Sequence, residues 1–315
     1  MPDFVPGTTM IVRPHLHWFR LLFVWHGSVL PYIISRLLLV CAVSVLSVLS
    51  RDWWMSMHAE SALSIPPFTL MGIALAIFLG FRNSVSYERY WEARKQWGAV
   101  LIAARSLTRE IISFAALDET LQRRIAWLLV AFAYALKHQL RGTDPRPDLT
   151  GRLDAATLEQ VCAARFAPSM LLLILARELA GAHRAGILSD LQLQSMDRNL
   201  NLLTEASGAC ERIANTPIPF TYRVLMNRTV MVYCMMLPVG LSTSIGWLTV
   251  LVGPFIAYTF LALDVIGEQI EEPFGKEPND LALAAMCHGI ELSVCELVGE
   301  APVGSAPPVV DYVVT

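Results

Sequence analysis

Ile73, Ile77 and Phe81 recur at every fourth position, so a helix carrying them lines up their side chains on one face. Apolar groups in that register can do one piece of chemistry that needs no reactive atom. Where several copies ring a water-filled path, they form a constriction that gates by dewetting. The same pattern also suits a face turned to lipid or to a packed interior, and periodicity leaves the readings open. The adjoining Gly72, Ala76 and Gly80 make a small-residue stripe that lets neighbouring helices approach closely. Reactive constellations are missing: the sequence has no Walker loop, no HExxH and no GxSxG. His15, His17 and His26 lie in a basic stretch suited to anionic headgroups, and Cys287-His288 is a bare dipeptide. The six cysteines are scattered without a CxxC pair and read as small thiols rather than a disulfide framework. No enzyme activity, cofactor or metal site is expected.

The elements that must position the stripe are membrane helices. Thr229 to Leu263 contains no Asp, Glu, Lys or Arg, whereas one crossing of a bilayer needs about 20 apolar residues. The run therefore reads as a hairpin of two helices, with its polar turn at Ser242-Thr243-Ser244 and Gly246. Two earlier spans are expected over 28–50, with Arg36 as the single charge, and over 61–81, with none. Pro66-Pro67 suits the start of the second. Hydrophobic residues make up 55% of the chain and charged residues 16%, where globular domains average about 25% charged. A net charge of −3 is small and argues for neither a nucleic-acid partner nor a strongly charged surface, and no nucleic-acid partner is expected.

Arg and Lys set the orientation. Arg13, Arg20 and Arg36 precede or begin the first span, and Arg82, Arg89, Arg94, Lys95, Arg105 and Arg109 follow the second. The 51–60 loop holds only Arg51, with Asp52 and Glu60. Both termini and the large polar segment are thus expected on the cytoplasmic side, and no signal peptide is read at the start. After Phe81 the helix continues without a breaker. Arg, Tyr and Trp there read as interfacial anchors, and Glu88, Arg89, Glu92 and Arg94 stand at pairing distances along the helix. Helical periodicity predicts cytoplasmic helices over 97–114, 119–139, 156–180 and 189–213, with a loop at 141–148.

Three blocks, RNSVSYERYWEARKQWG (82–98), ERIANTPIPFTY (211–222) and GEQIEEPFGKEPNDLAL (267–283), resemble the bestrophin family of membrane channels in its bacterial branch. The resemblance covers about residues 15–295. It implies a homopentamer with one central pore in the bacterial inner membrane. The family's neck positions fall on Ile73, Ile77 and Phe81, the stripe already picked out by spacing, and a second, cytoplasmic constriction falls near Leu191. Animal members hold Ca²⁺ in an acidic clasp whose counterparts here are Gln269, Glu272, Glu277 and Asp280. This sequence carries Glu where the animal pattern has Asn and Asp, and Pro278 interrupts the run, which puts the six-to-eight-oxygen cage of Ca²⁺ in doubt. Bacterial members lean to cations, so Na⁺ or K⁺ is the expected cargo, with Cl⁻ the alternative.

The resulting fold class is an all-α membrane protein: four transmembrane helices per subunit and a large cytoplasmic helical domain, assembled around a central pore. Its segments are a cytoplasmic N-terminal stretch (1–27), the first two membrane helices with the second lining the pore and running on (28–98), the cytoplasmic domain (99–225), the third and fourth membrane helices (226–270), a cytoplasmic helix (271–298) and an extended or disordered tail (299–315). Two rival functions come from other classes. A secondary transporter would bring repeats, broken helices and carboxylates in mid-span, none of which is read. A membrane scaffold or sensor would need only the cytoplasmic helices.

Overall fold

The computed structural model describes residues 17–21, 23–25, 27–57, 65–114 and 116–309. Regular structure among them is helical, apart from an isolated bridge between Thr150 and Leu153. In chain order the helices are α1 (Trp18–Leu21), α2 (Leu30–Leu49), α3 (Arg51–Met57), α4 (Ile65–Ser113), α5 (Glu119–Arg141), α6 (Arg146–Leu149), α7 (Ala155–Ala163), α8 (Ala167–Arg184), α9 (Asp190–Asn215), α10 (Phe220–Ile245), α11 (Thr249–Glu271) and α12 (Leu283–Val298). They divide into two compact units, residues 17–90 with 217–271, and 91–216 with 272–309.

The first unit is the apolar one. Among the described residues, three stretches are long and apolar enough to cross a membrane: Leu30–Leu49, Pro66–Ser113 and Phe220–Glu271. The last comprises α10 and α11, joined by a 3-10 turn at Gly246–Leu248. Of the expected turn residues, Gly246 marks the break. Ser242 and Thr243 stay helical, their hydroxyls donating back to Val239 O (2.9 Å) and Gly240 O (3.0 Å), as such residues do inside helices. Gly246, at φ +55° and ψ −130°, makes the turn because side-chain-bearing residues rarely adopt that backbone. The core of this unit gathers Ile33 and Val40 of α2, Leu75 and Leu79 of α4, Val230, Cys234 and Leu237 of α10, and Ala257 and Leu261 of α11. In helices able to cross a bilayer, such packing is held by close van der Waals contact between side chains rather than by removal from water.

α4 is a single helix of 49 residues, about 73 Å at 1.5 Å per residue. Pro66 and Pro67 occupy its first turn, where a missing amide costs nothing. The expected start at 61 lies outside the described residues. Where the 51–60 segment was expected to be a loop, Arg51–Met57 is helical.

In the second unit α5 is central. Every residue from Leu128 to Leu136 is buried, between α8 and α12, which is what an all-round apolar stretch requires. The helix expected over 156–180 is two, α7 and α8. Ala164 turns extended (ψ 137°), and Pro168 in the first turn of α8 supplies no amide to continue the ladder. The expected 141–148 loop contains α6. Asp154 caps α7 through Thr157 N (3.0 Å), and Ser189 with Gln192 forms a capping box on α9, each satisfying amides that a helix start leaves open.

Beyond Gly299 the tail carries neither helix nor strand up to residue 309, and Val303 N donates to Glu291 Oε1 (2.8 Å). Glu291 is buried with Arg152 (2.8 Å) and with the Tyr134 hydroxyl (2.7 Å). Burial alone would raise the Glu291 carboxyl, but Arg152, Tyr134 and the Val303 amide together hold it below the usual carboxylate range.

Candidate functional site

The rotation of α4 decides what the Ile73–Ile77–Phe81 stripe faces. One side of the helix carries Leu75, Leu79, Arg82 and Ser86, all buried. At about 100° per residue, the stripe lies roughly opposite. Ile73 is 55% exposed, Ile77 52% and Phe81 66%. These three side chains therefore take no part in the core of the chain. The small-residue stripe is used at only one of its expected positions. A Cβ on Gly72 would come within 2.6 Å of the Tyr233 hydroxyl of α10, while around Gly80 the space is open. Tyr233 is in turn wedged edge-on against Phe260 of α11, with ring centroids 5.4 Å apart.

An ion cluster pins that rotation. Arg82 is 2% exposed, so it is not the interfacial anchor its position suggested. Its Nη1 donates to Asp264 Oδ1, and its Nη2 lies 3.7 Å from Glu271 Oε2. Asn227 Nδ2 reaches the other Asp264 oxygen at 3.5 Å, and Arg89 Nε donates to the Glu271 carbonyl at 3.2 Å. A buried guanidinium between two carboxylates holds α4 to α11, because separating the charges would strand them in a low-dielectric interior. Arg82 therefore acts as a positioning residue for the stripe. The cluster was missed from sequence, although one signal was present. Asp264 is the first charge after the uncharged run, and Glu271 stands seven residues on, on the same face of α11.

Further along α4, Lys95 binds Glu92 (2.5 Å) and Gln96 donates to Glu92 (2.6 Å). These contacts hold the Glu92 carboxyl below its ordinary value. Leu191 sits in the first turn of α9 and is 79% exposed, so it has no place in the core of the chain.

The four acidic-clasp counterparts differ in setting. Gln269 is buried on α11. Glu272 and Glu277 are exposed. Asp280 is 5% exposed. One of its oxygens accepts from Glu277 N (2.7 Å), and the other has no hydrogen-bond partner among the described residues. Burial pushes the Asp280 carboxyl up to about 7, against the Glu277 amide and the Arg141 guanidinium, which pull it down. Arg141 itself donates to the carbonyls of Phe274 (3.2 Å) and Leu281 (3.4 Å). Among the described residues no three His, Cys, Asp or Glu side chains gather as a metal cluster. His15 and His26 lie outside the described residues, and His17 is exposed.

The sequence profile described as "Bacterial/Fungal Bestrophin protein" matches residues 10–296. A protein of Ralstonia nicotianae named a voltage-dependent anion channel-forming protein is 48% identical over 299 residues, 94% of this chain and 96% of the relative. A protein of Escherichia coli K12 with the same descriptive name is 42% identical over 294 residues, 93% of this chain and 96% of the relative. The crystal structure of a bacterial bestrophin homologue from Klebsiella pneumoniae superposes with a TM-score of 0.83 at 42% identity, over 86% of this chain and all of that one.

Proposed function

This chain belongs to the bacterial and fungal bestrophin family, and from that premise we propose that it forms a homopentameric ion channel whose pore is lined by α4 and narrowed at Ile73, Ile77 and Phe81. The observation that carries this reading is the outward-facing apolar stripe on a helix whose opposite face is held in the core by Arg82, Leu75 and Leu79. Four membrane helices per subunit, α2, the first part of α4, α10 and α11, are few for a path inside one chain, which favours a path on a symmetry axis. Water fills that path on either side of the neck, and dewetting there limits conduction. Leu191 is the proposed second, cytoplasmic constriction. Both termini lie on the cytoplasmic side of the bacterial inner membrane, following the Arg and Lys excess after Phe81. The proposed cargo is small monovalent cations, Na⁺ or K⁺. The names of the relatives favour the second reading, an anion channel, and the two differ in the sign of one measured voltage.

Planar-bilayer recording of the purified protein under a KCl gradient tests the proposal. A defined reversal potential identifies a channel, and its sign identifies the ion. Replacing Ile73, Ile77 and Phe81 together by Ala widens the neck and is expected to raise conductance. Unaltered conductance and selectivity in that variant would overturn the assignment of the neck. Silence from protein shown to be a pentamer would favour the scaffold or sensor.

A further inference from the structure

Formal charges along the membrane-proximal part of α4 sort by face. Arg82 follows Phe81 directly, but it turns inward and is neutralised by Asp264 and Glu271. Arg89 also points to that side, its Nε held by the Glu271 carbonyl. Glu88 does the opposite. It is exposed and, at about 100° per residue, falls between the directions of Ile77 and Phe81. It is the first ionisable side chain on the face of the stripe, about 10.5 Å along the helix from Phe81. No ion pair of Glu88 occurs among the described residues. Lys95, in the same register seven residues later, is tied to Glu92 (2.5 Å) and so adds little net charge.

We propose that Glu88 sets the sign of the permeant ion and makes the channel cation-selective. The inference rests on the reading that α4 lines a shared pore. With one Glu88 from each subunit, the carboxylates form a ring just past the neck, and apolar walls focus their field on the path. The distance to Phe81 is about one Debye length at 0.1 M salt, so the ring acts on ions leaving or entering the constriction. The apolar neck itself cannot distinguish the two signs.

The test is the reversal potential of the full-length protein in planar bilayers under a KCl gradient, for wild type, Glu88→Asp, Glu88→Gln and Glu88→Arg, each checked for assembly by size. Wild type and Glu88→Asp should give cation-directed potentials. Glu88→Gln should lose most of the K⁺ over Cl⁻ preference, and Glu88→Arg should reverse it. Raising the salt on both sides to about 1 M, where the Debye length is about 3 Å, should weaken selectivity in wild type but leave Glu88→Gln unmoved; this comparison also serves if Glu88→Arg fails to assemble. Unshifted potentials in Glu88→Gln and Glu88→Arg, with conductance still raised by the neck alanines, would overturn the role of Glu88 and leave the pore reading standing. An anion-directed potential in wild type would likewise overturn it. If the neck alanines also leave conduction untouched, both readings fall together.

Discussion

Arg82 is a buried guanidinium faced by the carboxylates of Asp264 and Glu271. Removing it strands two carboxylates away from water, and Arg82→Ala is expected to cost about 3–5 kcal/mol. Asp264→Asn should cost distinctly less, because Glu271 still balances the guanidinium. Thermal unfolding of the two variants in detergent checks the order, and a more damaging Asp264→Asn would refute this account of the cluster. Asp280 gives the second prediction at this scale. Its carboxyl titrates in the folded protein at about 7, against an ordinary value near 3.9. The folded state therefore holds the proton more tightly than the unfolded one, and stability falls as pH rises from about 4 to about 7. Above that the loss is complete and constant. Asp280→Asn, which cannot ionise, should gain on wild type across that window and hold a steady lead above pH 7. Melting curves from pH 5 to 8.5 that run parallel for the two proteins would refute the shift. The stripe Ile73–Ile77–Phe81 was legible from spacing because every fourth residue must share a helix face. The Arg82 cluster was not, because its acids lie 182 residues or more away in sequence and come near only through packing.

The helices themselves were largely readable from apolar periodicity, and the errors fall where one residue redirects the backbone. Between α7 and α8 the apolar spacing continues across the break, so periodicity alone joins them, while Pro168 and the extended Ala164 part them. In the 229–263 run the expected turn took in Ser242-Thr243-Ser244 and Gly246; the Ser242 and Thr243 hydroxyls bond within the helix, and the turn falls at Gly246. Gly246→Ala would hold a side chain at φ +55° and is expected to cost about 1–3 kcal/mol, measurable as a lower melting temperature. An unchanged melt would mean that the turn relaxes freely. The tail after α12 was expected to lack a helix, and it does up to residue 309, but it is also tethered. Glu291 serves Arg152, Tyr134 and the Val303 amide at once. Glu291→Ala should leave Arg152 buried without a carboxylate, destabilise by roughly 3–5 kcal/mol, and release the tail. Faster cleavage after residue 299 by an elastase, which cuts beside the small Ala and Val residues that fill this tail, would report that release, and unaltered cleavage would refute the tether.

A subunit with Ile73, Ile77, Phe81 and Leu191 all exposed leaves apolar surface that lipid, water or further copies must meet, and the proposed pentamer covers it on a pore axis. Native mass spectrometry in detergent should give five chains. A monomer or dimer as the dominant species would remove the axis on which the neck depends. Sequence alone determined that the chain is helical, that it carries stretches able to cross a bilayer, and which residues of α4 share a face. These properties are local, arising from runs of uncharged residues and from the 3.6-residue turn of the helix. It also carried the family blocks, because those are contiguous strings. Tertiary structure alone decided which way α4 is rotated, and so which of its charges are neutralised and which are presented. Arg82 and Glu88 are both charged residues, of opposite sign and six residues apart in the sequence. What separates them is that Arg82 has Asp264 and Glu271 to pair with in a water-poor interior, while Glu88 has only the open face. A charge has a large effect on folding when it is buried and a large effect on passing ions when it is exposed, and only packing assigns those two roles.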